Sequence, residues 1–118
     1  MSLRLNNVTF DCDDPEAVAR FWSAALDRPL DPDPTPFFVS IGEAGAGDGA
    51  AGPSFFFSKV PEAKTVKNRV HVDLASDDRE VEVDRLVGLG ARRVADKDEY
   101  GHAWTVMADP EGNEFCVS

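Results

Sequence analysis

The feature of this sequence that most constrains its fold is an internal repeat with an offset of 64 residues. Three acidic residues recur at this offset: Asp13 as Asp77, Asp14 as Asp78, and Glu16 as Glu80. In each copy, an Asp followed three positions later by Glu is typical of the start of a helix, and a strand-like alternation precedes it. Asn7 in the first alternating stretch stands at the position of His71 in the second. The repeat therefore predicts two copies of one strand–helix module.

Further strands are predicted after the helix of each copy. The first copy has three predicted strands, over residues 5–12, 37–41 and 54–60. The second has four, over residues 69–75, 91–95, 100–108 and 113–117. Between two strands of the first copy, residues 42–52 are rich in Gly and Ala and predict a mobile hairpin loop. This order predicts an α+β fold with the helices on one face of the sheet.

Both predicted helices carry an apolar face that must pack on a sheet. In the first helix this face comprises Ala17, Val18, Phe21, Trp22, Ala25 and Leu26, and in the second it comprises Val83, Leu86 and Val87. Asp13 and Asp77 are predicted to cap the helices, Gly88 and Gly90 to end the second one, and residues 109–113 to form a structural turn. In the strand 69–75, one face holds Val70, Val72 and Leu74, and the other holds Arg69, His71 and Asp73.

The composition argues against two classes of partner. The chain of 118 residues has a formal net charge of −10 and scattered basic residues, whereas phosphate binding requires clustered Lys and Arg. No apolar run is long enough to span a membrane, and no signal pattern opens the sequence. Cys12 and Cys116 have neither disulfide-framework nor CxxC spacing, which favours reduced thiols in the cytoplasm. We therefore expect a cytoplasmic protein with no nucleic-acid and no membrane partner.

Several motifs, spread over nearly the whole chain, together resemble one superfamily. They are residues 13–16 with Phe21 and Trp22, residues 68–73, and Trp104 with residues 109–116. On these residues the chain resembles the vicinal oxygen chelate superfamily of glyoxalase I, bleomycin resistance proteins and extradiol dioxygenases, and most of all its short bacterial glyoxalase-like domains. The resemblance implies one domain over residues 1–118, made of paired βαβββ modules at about 4–60 and 69–118. It also implies a cupped mixed sheet of about eight strands, two helices on its convex face, a cleft, and a homodimer.

The resemblance also implies where metal ligands would lie, and this sequence keeps few of them. Metal-dependent members take His and Glu from the first and last strands of each module. Here His71 fits that pattern, whereas Asn7 stands where a His is usual and Cys116 where a Glu is usual. The closing strand of the first module has no acid among residues 56–58. Because stable sites use three or four ligands, we expect no cofactor and a metal-free pocket.

A different metal site is the alternative. Glu114 shares strand parity with Cys116, Asp73 shares parity with His71, and His102 shares a face with Trp104. A cluster of His71 and Cys116 with either Glu114 or His102 would suit a divalent ion such as zinc.

The residues expected to bind a small molecule are Asn7, Phe55, Phe57, Arg69, His102, Trp104 and Glu114. Trp104 suits stacking on a flat ligand, although it could equally be part of the core. Phe55 and Phe57 share one face of their strand and Phe56 the other, so either set could line the pocket. Arg69, with Lys64 and Lys67, could bind an anionic group or belong to a solvated loop.

Two functions follow from these residues, and fold alone does not decide between them. The first is a binding protein with a pocket for a small, aromatic or amphipathic molecule. The second is an enzyme of the lyase or isomerase kind, in which His71 is the general base, Asp73 orients it, and Cys116 or Glu114 shuttles a proton. Under that hypothesis the catalytic residues are His71, Asp73 and Cys116. A non-catalytic regulatory domain is a third interpretation.

Overall fold

The computed structural model describes residues 2–42 and 52–118, which form two compact units divided between residues 63 and 64. Most of the hairpin loop predicted over residues 42–52 lies outside the described residues. None of the helices in the described ranges is both long enough and apolar enough to cross a membrane.

The first unit is a three-stranded sheet with one helix. It contains β1 (Asn7–Cys12), α1 (Pro15–Leu26), β2 (Phe38–Ile41) and β3 (Ser54–Lys59). The strands lie in the order β1-β3-β2, with β1 parallel and β2 antiparallel to β3. Trp22 of α1 packs on Phe10 and Phe55, with ring centroids 5.1 and 5.8 Å away, so the helix covers the sheet face that holds these rings.

The second unit repeats this plan with one more strand. It contains β4 (Val72–Leu74), α2 (Arg79–Leu89), β5 (Arg92–Glu99), β6 (His102–Ala108) and β7 (Glu114–Val117). The strands lie in the order β4-β7-β6-β5, with β4 parallel to β7 and the remaining pairs antiparallel. The predicted α+β class with two βα modules is therefore confirmed.

The described residues contain seven strands, one fewer than expected. In the first unit, the place that corresponds to β5 is held by Leu30, which makes a single antiparallel bridge to Ile41. Pro29 and the three prolines between residues 32 and 36 flank this bridge. Because proline has no N–H to donate to a ladder, the segment cannot pair further and the eighth strand stays one residue long.

Both helices begin one residue later than predicted. The carboxylate of Asp14, not Asp13, accepts a hydrogen bond from the N–H of Ala17 (3.2 Å). Asp78, not Asp77, caps α2 by accepting from the N–H of Val81 (3.3 Å). Pro15 then occupies the first helical position, where its missing N–H leaves no bond unmade. The offset of 64 between the caps is preserved.

The buried faces of the helices also differ slightly from prediction. In α1, Ala19 is buried and Ala17 is exposed. In α2, Val83 and Leu86 are buried but Val87 is exposed. β4 begins at Val72, and Val70 is exposed before it, so the strand predicted over 69–75 is shorter than expected.

Two turns fix the hairpins of the second unit. The buried carboxylate of Asp109 accepts hydrogen bonds from the N–H groups of Glu111 (2.9 Å) and Asn113 (3.0 Å) and from the Asn113 side-chain amide (3.0 Å). Between β5 and β6, Tyr100 and Gly101 both have positive φ (57° and 78°), as a two-residue type I′ turn requires. The first turn was predicted as structural, and the second was predicted as part of a strand.

Candidate functional site

The second sheet has one face packed under α2 and one face turned away from it, which we call the far face. Phe115 and Met107 pair across β7 and β6 and are fully buried. Arg93 pairs with Met107 in the sheet and forms an ion pair with Glu80 of α2 (2.8 Å), so this row lies on the helix side. Because alternate residues of a strand point to opposite faces, Cys116 belongs to the far face.

The strand register brings the predicted site residues together on this far face. Asp73 of β4 pairs with Cys116 of β7. Two residues apart on β6 lie His102 and Trp104, whose side chains share a face, as predicted from parity. His71 directly precedes β4 and has the same parity as Asp73.

A cluster of three side chains forms the polar part of the site. His71 Nδ1 lies 3.1 Å from Asp73 Oδ1 and 3.7 Å from Cys116 Sγ. An ionised carboxylate only accepts hydrogen bonds, so Nδ1–H of His71 donates to Asp73, and in the neutral imidazole Nε2 then keeps a lone pair. The imidazole and the carboxylate are both partly exposed, whereas the thiol is buried. The sequence placed all three in a catalytic role, and the structure brings them together.

Burial raises the pKa of the Cys116 thiol to about 11, and the carboxylate of Asp73 beside it acts in the same direction. At neutral pH the sulfur of the unliganded protein therefore holds its proton. A protonated thiol neither removes protons nor attacks electrophiles. This argues against Cys116 as the proton shuttle of an enzyme.

The cluster opens into a cavity of about 440 Å³ on the second unit. Its lining residues are His71, Asp73, Glu99, Tyr100, His102, Ala103, Trp104, Cys116 and Ser118. The volume falls within the range of about 300–1,000 Å³ that small-molecule sites occupy. Trp104 is half-buried, so part of its ring is available to a bound molecule.

Four lining residues were absent from the sequence-based candidates: Glu99, Tyr100, Ala103 and Ser118. Glu99 pairs with His102 across the two-residue turn, so it follows from the hairpin register once that turn is placed. The predicted strands ended at residue 95 and began again at residue 100, which put the turn in the wrong place. The sequence signal that could have located it is Gly101, since type I′ turns favour Gly.

Two predicted binding residues of the second unit lie outside this lining. The carboxylate of Glu114 accepts a hydrogen bond from the N–H of Asn68 (3.0 Å) and lies 3.7 Å from the Lys67 ammonium. It therefore holds the loop before β4, and the metal cluster proposed with Glu114 does not form in the described structure. Arg69 lies exposed in that loop and does not belong to the lining.

The expectation that Phe55 and Phe57 line a pocket is wrong. Both are buried on the helix side of the first sheet, and Phe10 stacks against them with ring centroids 5.5 and 5.3 Å away. Phe56 points to the opposite face, where its ring meets that of Phe38 edge-on at 5.2 Å. Parity grouped these rings correctly but could not say which group the helix covers.

The first unit shows what stands at the equivalent positions of its own sheet. From the matching registers, Asn7 corresponds to His71, Thr9 to Asp73, Phe56 to Cys116 and Phe38 to Trp104. Asn7 donates a hydrogen bond to Thr9 Oγ1 (2.9 Å), in the place of the His71–Asp73 contact. The first sheet thus keeps a polar pair and an aromatic residue here but has no imidazole, carboxylate or thiol at these four positions.

A second depression, of about 720 Å³, surrounds the start of α1. Its charged lining residues are Asp13, Asp14, Glu16 and Lys59. The Lys59 ammonium donates to the carbonyl of Asp13 (2.8 Å), and Asp14 caps the helix. These charges therefore have structural roles, and the cavity beside His71 is the better candidate site.

The four-ligand metal site implied by the resemblance does not fit these residues. Of the four equivalent positions, Asn7 and Phe56 offer no carboxylate, imidazole or thiol, so only His71 and Cys116 remain as donors. In the described ranges, the group that could hold an ion is His71, Asp73 and Cys116, whose donor atoms lie within 4.8 Å of one another. This donor set is contained in the second unit and includes a thiol.

Comparison with solved structures identifies the fold. A glyoxalase/bleomycin resistance protein/dioxygenase family enzyme from Burkholderia phytofirmans is 20% identical, with a TM-score of 0.71 over 98% of this chain and 97% of that one. The hypothetical protein SA1046 from S. aureus is 17% identical, with a TM-score of 0.72 over 99% and 93%. A mutant of the fosfomycin resistance protein FosX from Listeria monocytogenes, complexed with Mn(II) and 1S,2S-dihydroxypropylphosphonic acid, is 11% identical, with a TM-score of 0.77 over 99% and 90%.

At these identities the structural matches show a shared fold alone. Among curated proteins, none matches the chain significantly. The model of the glyoxalase-like domain matches residues 7–118, which is nearly the whole sequence. The chain therefore belongs to the glyoxalase-like domain family, in the vicinal oxygen chelate superfamily.

Proposed function

We propose that this protein binds a small aromatic or amphipathic molecule in the cavity on the far face of its second sheet. The observation that carries the proposal is that His71, His102 and Trp104 line one cavity of about 440 Å³. This combination offers a flat apolar surface and nitrogen atoms for hydrogen bonds. Sites for small molecules combine apolar walls with a few polar groups in this way.

The lining of the cavity offers both an aromatic surface and hydrogen-bonding groups. Trp104 supplies the aromatic surface, on which a planar ring could stack in an offset or edge-on arrangement. The His71–Asp73 pair supplies a hydrogen-bonding end, with Nε2 as acceptor and Asp73 as a negative charge. We therefore expect the ligand to join a planar apolar part to a hydroxyl or amine group.

The test is isothermal titration of the chelator-treated protein with 1-naphthol and 1-naphthylamine, followed in parallel by tryptophan fluorescence. We expect one site per chain. The Trp104→Ala substitution should raise the Kd by about 2- to 13-fold, which corresponds to the free energy of one aromatic pair. Phe37→Ala is the matched control, because it removes an exposed aromatic ring from the first unit. Equal losses in both variants, or no binding of either probe, would overturn the proposal.

A second candidate function is proton transfer catalysed by His71. It is favoured by the 3.1 Å contact between His71 Nδ1 and Asp73 Oδ1, which orients the ring and leaves Nε2 able to accept a proton. In a lyase or isomerase reaction, Nε2 would remove a proton from the bound substrate, and the imidazolium would return it to another substrate atom. Asp73 would stabilise the imidazolium while it exists.

The two histidines of the chain provide a direct comparison for this candidate. If His71 is the general base, His71→Gln lowers turnover by about 100-fold or more, whereas His102→Gln, a variant in the same cavity, changes it less. The Burkholderia neighbour is described as an enzyme, and the FosX neighbour contains Mn(II) and a phosphonic acid. Phosphonates are therefore the first substrates to assay, with binding and turnover measured on the same samples.

We also propose that the protein is a homodimer, as the family resemblance implies. Size-exclusion chromatography with light scattering would give a mass of about twice 12.8 kDa. A mass of one chain at micromolar concentration would contradict this proposal.

A further inference from the structure

We infer that His71, Asp73 and Cys116 together form a binding site for a borderline divalent cation such as Zn²⁺ or Co²⁺. The inference deepens the proposed function, since it places the ion at the polar end of the same cavity. It differs from the four-ligand His and Glu pattern implied by the resemblance, because all three donors come from the second unit.

The separations of the donor atoms support this site. Zn–N bonds of about 2.0–2.1 Å and Zn–S bonds of about 2.3 Å, at tetrahedral angles, place nitrogen and sulfur about 3.6 Å apart. The observed separation of His71 Nδ1 from Cys116 Sγ is 3.7 Å. The same calculation places nitrogen and oxygen ligands about 3.4 Å apart, and His71 Nδ1 lies 3.1 Å from Asp73 Oδ1. Small side-chain movements would therefore bring the three donors to one ion.

The backbone holds two of the donors in position. Asp73 and Cys116 are register partners on adjacent parallel strands, so their side chains lie side by side on the far face. The next register pair is Leu74 and Val117. After it, the N–H of Ser118 donates a hydrogen bond to the carbonyl of Leu74 (2.9 Å), which joins the ends of the two strands. Such rigid strands hold ligands more precisely than loops do.

The chemical nature of the donors determines which ions are expected. Thiolate and imidazole favour zinc, whereas sites for Mg²⁺ and Mn²⁺ consist of carboxylate, carbonyl and water oxygen atoms. Three protein ligands leave a fourth position for water or for an oxygen atom of a bound molecule. The ligand expected with the ion is therefore a small molecule that carries a hydroxyl or carboxylate group.

The ion and the general-base function of His71 exclude one another. The nitrogen nearest to the other two donors is Nδ1. An imidazole that binds an ion through Nδ1 carries its proton on Nε2, and that nitrogen then cannot accept another proton. Measuring metal binding thus also decides between the two functions of this side chain.

The experiment titrates Co²⁺, Zn²⁺ and Mn²⁺ into chelator-treated protein and measures heat and absorbance without any organic ligand. We expect one Co²⁺ or Zn²⁺ per chain, Mn²⁺ binding at least about 10-fold weaker, and a thiolate-to-cobalt charge-transfer band in the near ultraviolet. Cys116→Ser should abolish that band and raise the Kd for Co²⁺ by about 100-fold or more, the upper end of what loss of a supporting residue causes.

Two matched variants complete the design. Cys12→Ser removes the other cysteine, whose thiol donates to the carbonyls of Phe10 and Ser58, and should leave the band unchanged. Because Cys116 is buried, Asp73→Asn provides a variant at an exposed position, with an expected rise in Kd of at least about 10-fold.

The inference is overturned if no Co²⁺ binds, if Co²⁺ binds without the charge-transfer band, or if Mn²⁺ binds as tightly as Co²⁺. It is equally overturned if the Cys116→Ser and Cys12→Ser variants lose binding to the same extent. Titration of the chelator-treated protein with 1-naphthol separates this result from the proposed function, because the cavity can bind the probe when no metal binds.

Discussion

The sharpest test of the fold compares two neighbouring phenylalanines of β3 that differ only in the sheet face they occupy. Phe57 is fully buried beneath α1, and its ring lies 5.3 Å from that of Phe10. Phe56 is half-buried on the opposite face and meets Phe38 edge-on. Phe57→Ala and Phe56→Ala therefore remove the same atoms from different environments.

The expected losses can be calculated from these environments. Removing a fully buried Phe ring costs about 3–5 kcal/mol, because it loses transfer free energy and leaves a cavity. For Phe56, half of a transfer term of about 2–3 kcal/mol is lost together with one aromatic pair of about 0.5–1.5 kcal/mol, giving about 1.5–3 kcal/mol. We thus expect Phe57→Ala to lower the free energy of unfolding more than Phe56→Ala does, by about 2 kcal/mol at the centres of the two ranges.

Urea denaturation measured by circular dichroism gives both values by linear extrapolation. A domain of this size is stable by about 6–18 kcal/mol, so Phe57→Ala can approach complete unfolding. Phe57→Leu is a milder variant at the same position, with an expected loss of about 1–1.5 kcal/mol. A loss for Phe56→Ala equal to or larger than that for Phe57→Ala would refute the assignment of the sheet faces.

Three further predictions concern the second unit. Asp109→Ala should lower the free energy of unfolding by about 2–4 kcal/mol, because it removes three hydrogen bonds to a buried carboxylate, and Asp109→Asn should lower it less in the same urea assay. The hydrogen bond from Thr105, with the Arg93 guanidinium, lowers the pKa of Asp96, so its contribution to stability is present above the unfolded pKa and lost as the pH falls through the lowered value. Acid unfolding of Asp96→Asn should therefore depend less steeply on pH below about pH 4, and an unchanged slope would contradict this. Tyr100→Asn should raise the melting temperature, since Asn adopts positive φ at about 1 kcal/mol less cost than a bulky residue does, and a lower value would argue against the turn geometry.

Strand parity predicted much of the candidate site. Alternation alone placed Asp73 with His71 and His102 with Trp104, because side chains of a strand alternate between two faces whatever the tertiary structure. The repeat predicted that Asn7 and His71 occupy equivalent positions in the two copies. These predictions depend on local geometry, which sequence periodicity records directly.

Tertiary interactions decided the rest. The choice between Phe55 with Phe57 and Phe56 depends on which face receives Trp22, and alternation is the same for either choice. The direction of the Glu114 side chain depends on the N–H of Asn68, which lies 46 positions earlier in the chain. Neither the helix position nor this loop contact leaves a periodic signal in the sequence.

The comparison of the two units shows why the candidate site lies in only one of them. Both sheets have the same pairing, so equivalent positions receive side chains in equivalent places. In the first unit, the pair Asn7 and Thr9 forms a neutral hydrogen bond in place of the His71–Asp73 contact, and this pair can neither accept a proton at neutral pH nor bind an ion tightly. Because the equivalent strands pair in the same parallel register in both units, strand pairing does not account for their different chemistry. The side chains at these few far-face positions account for it, and substitutions there, rather than in the core, are the ones that should change binding without changing the fold.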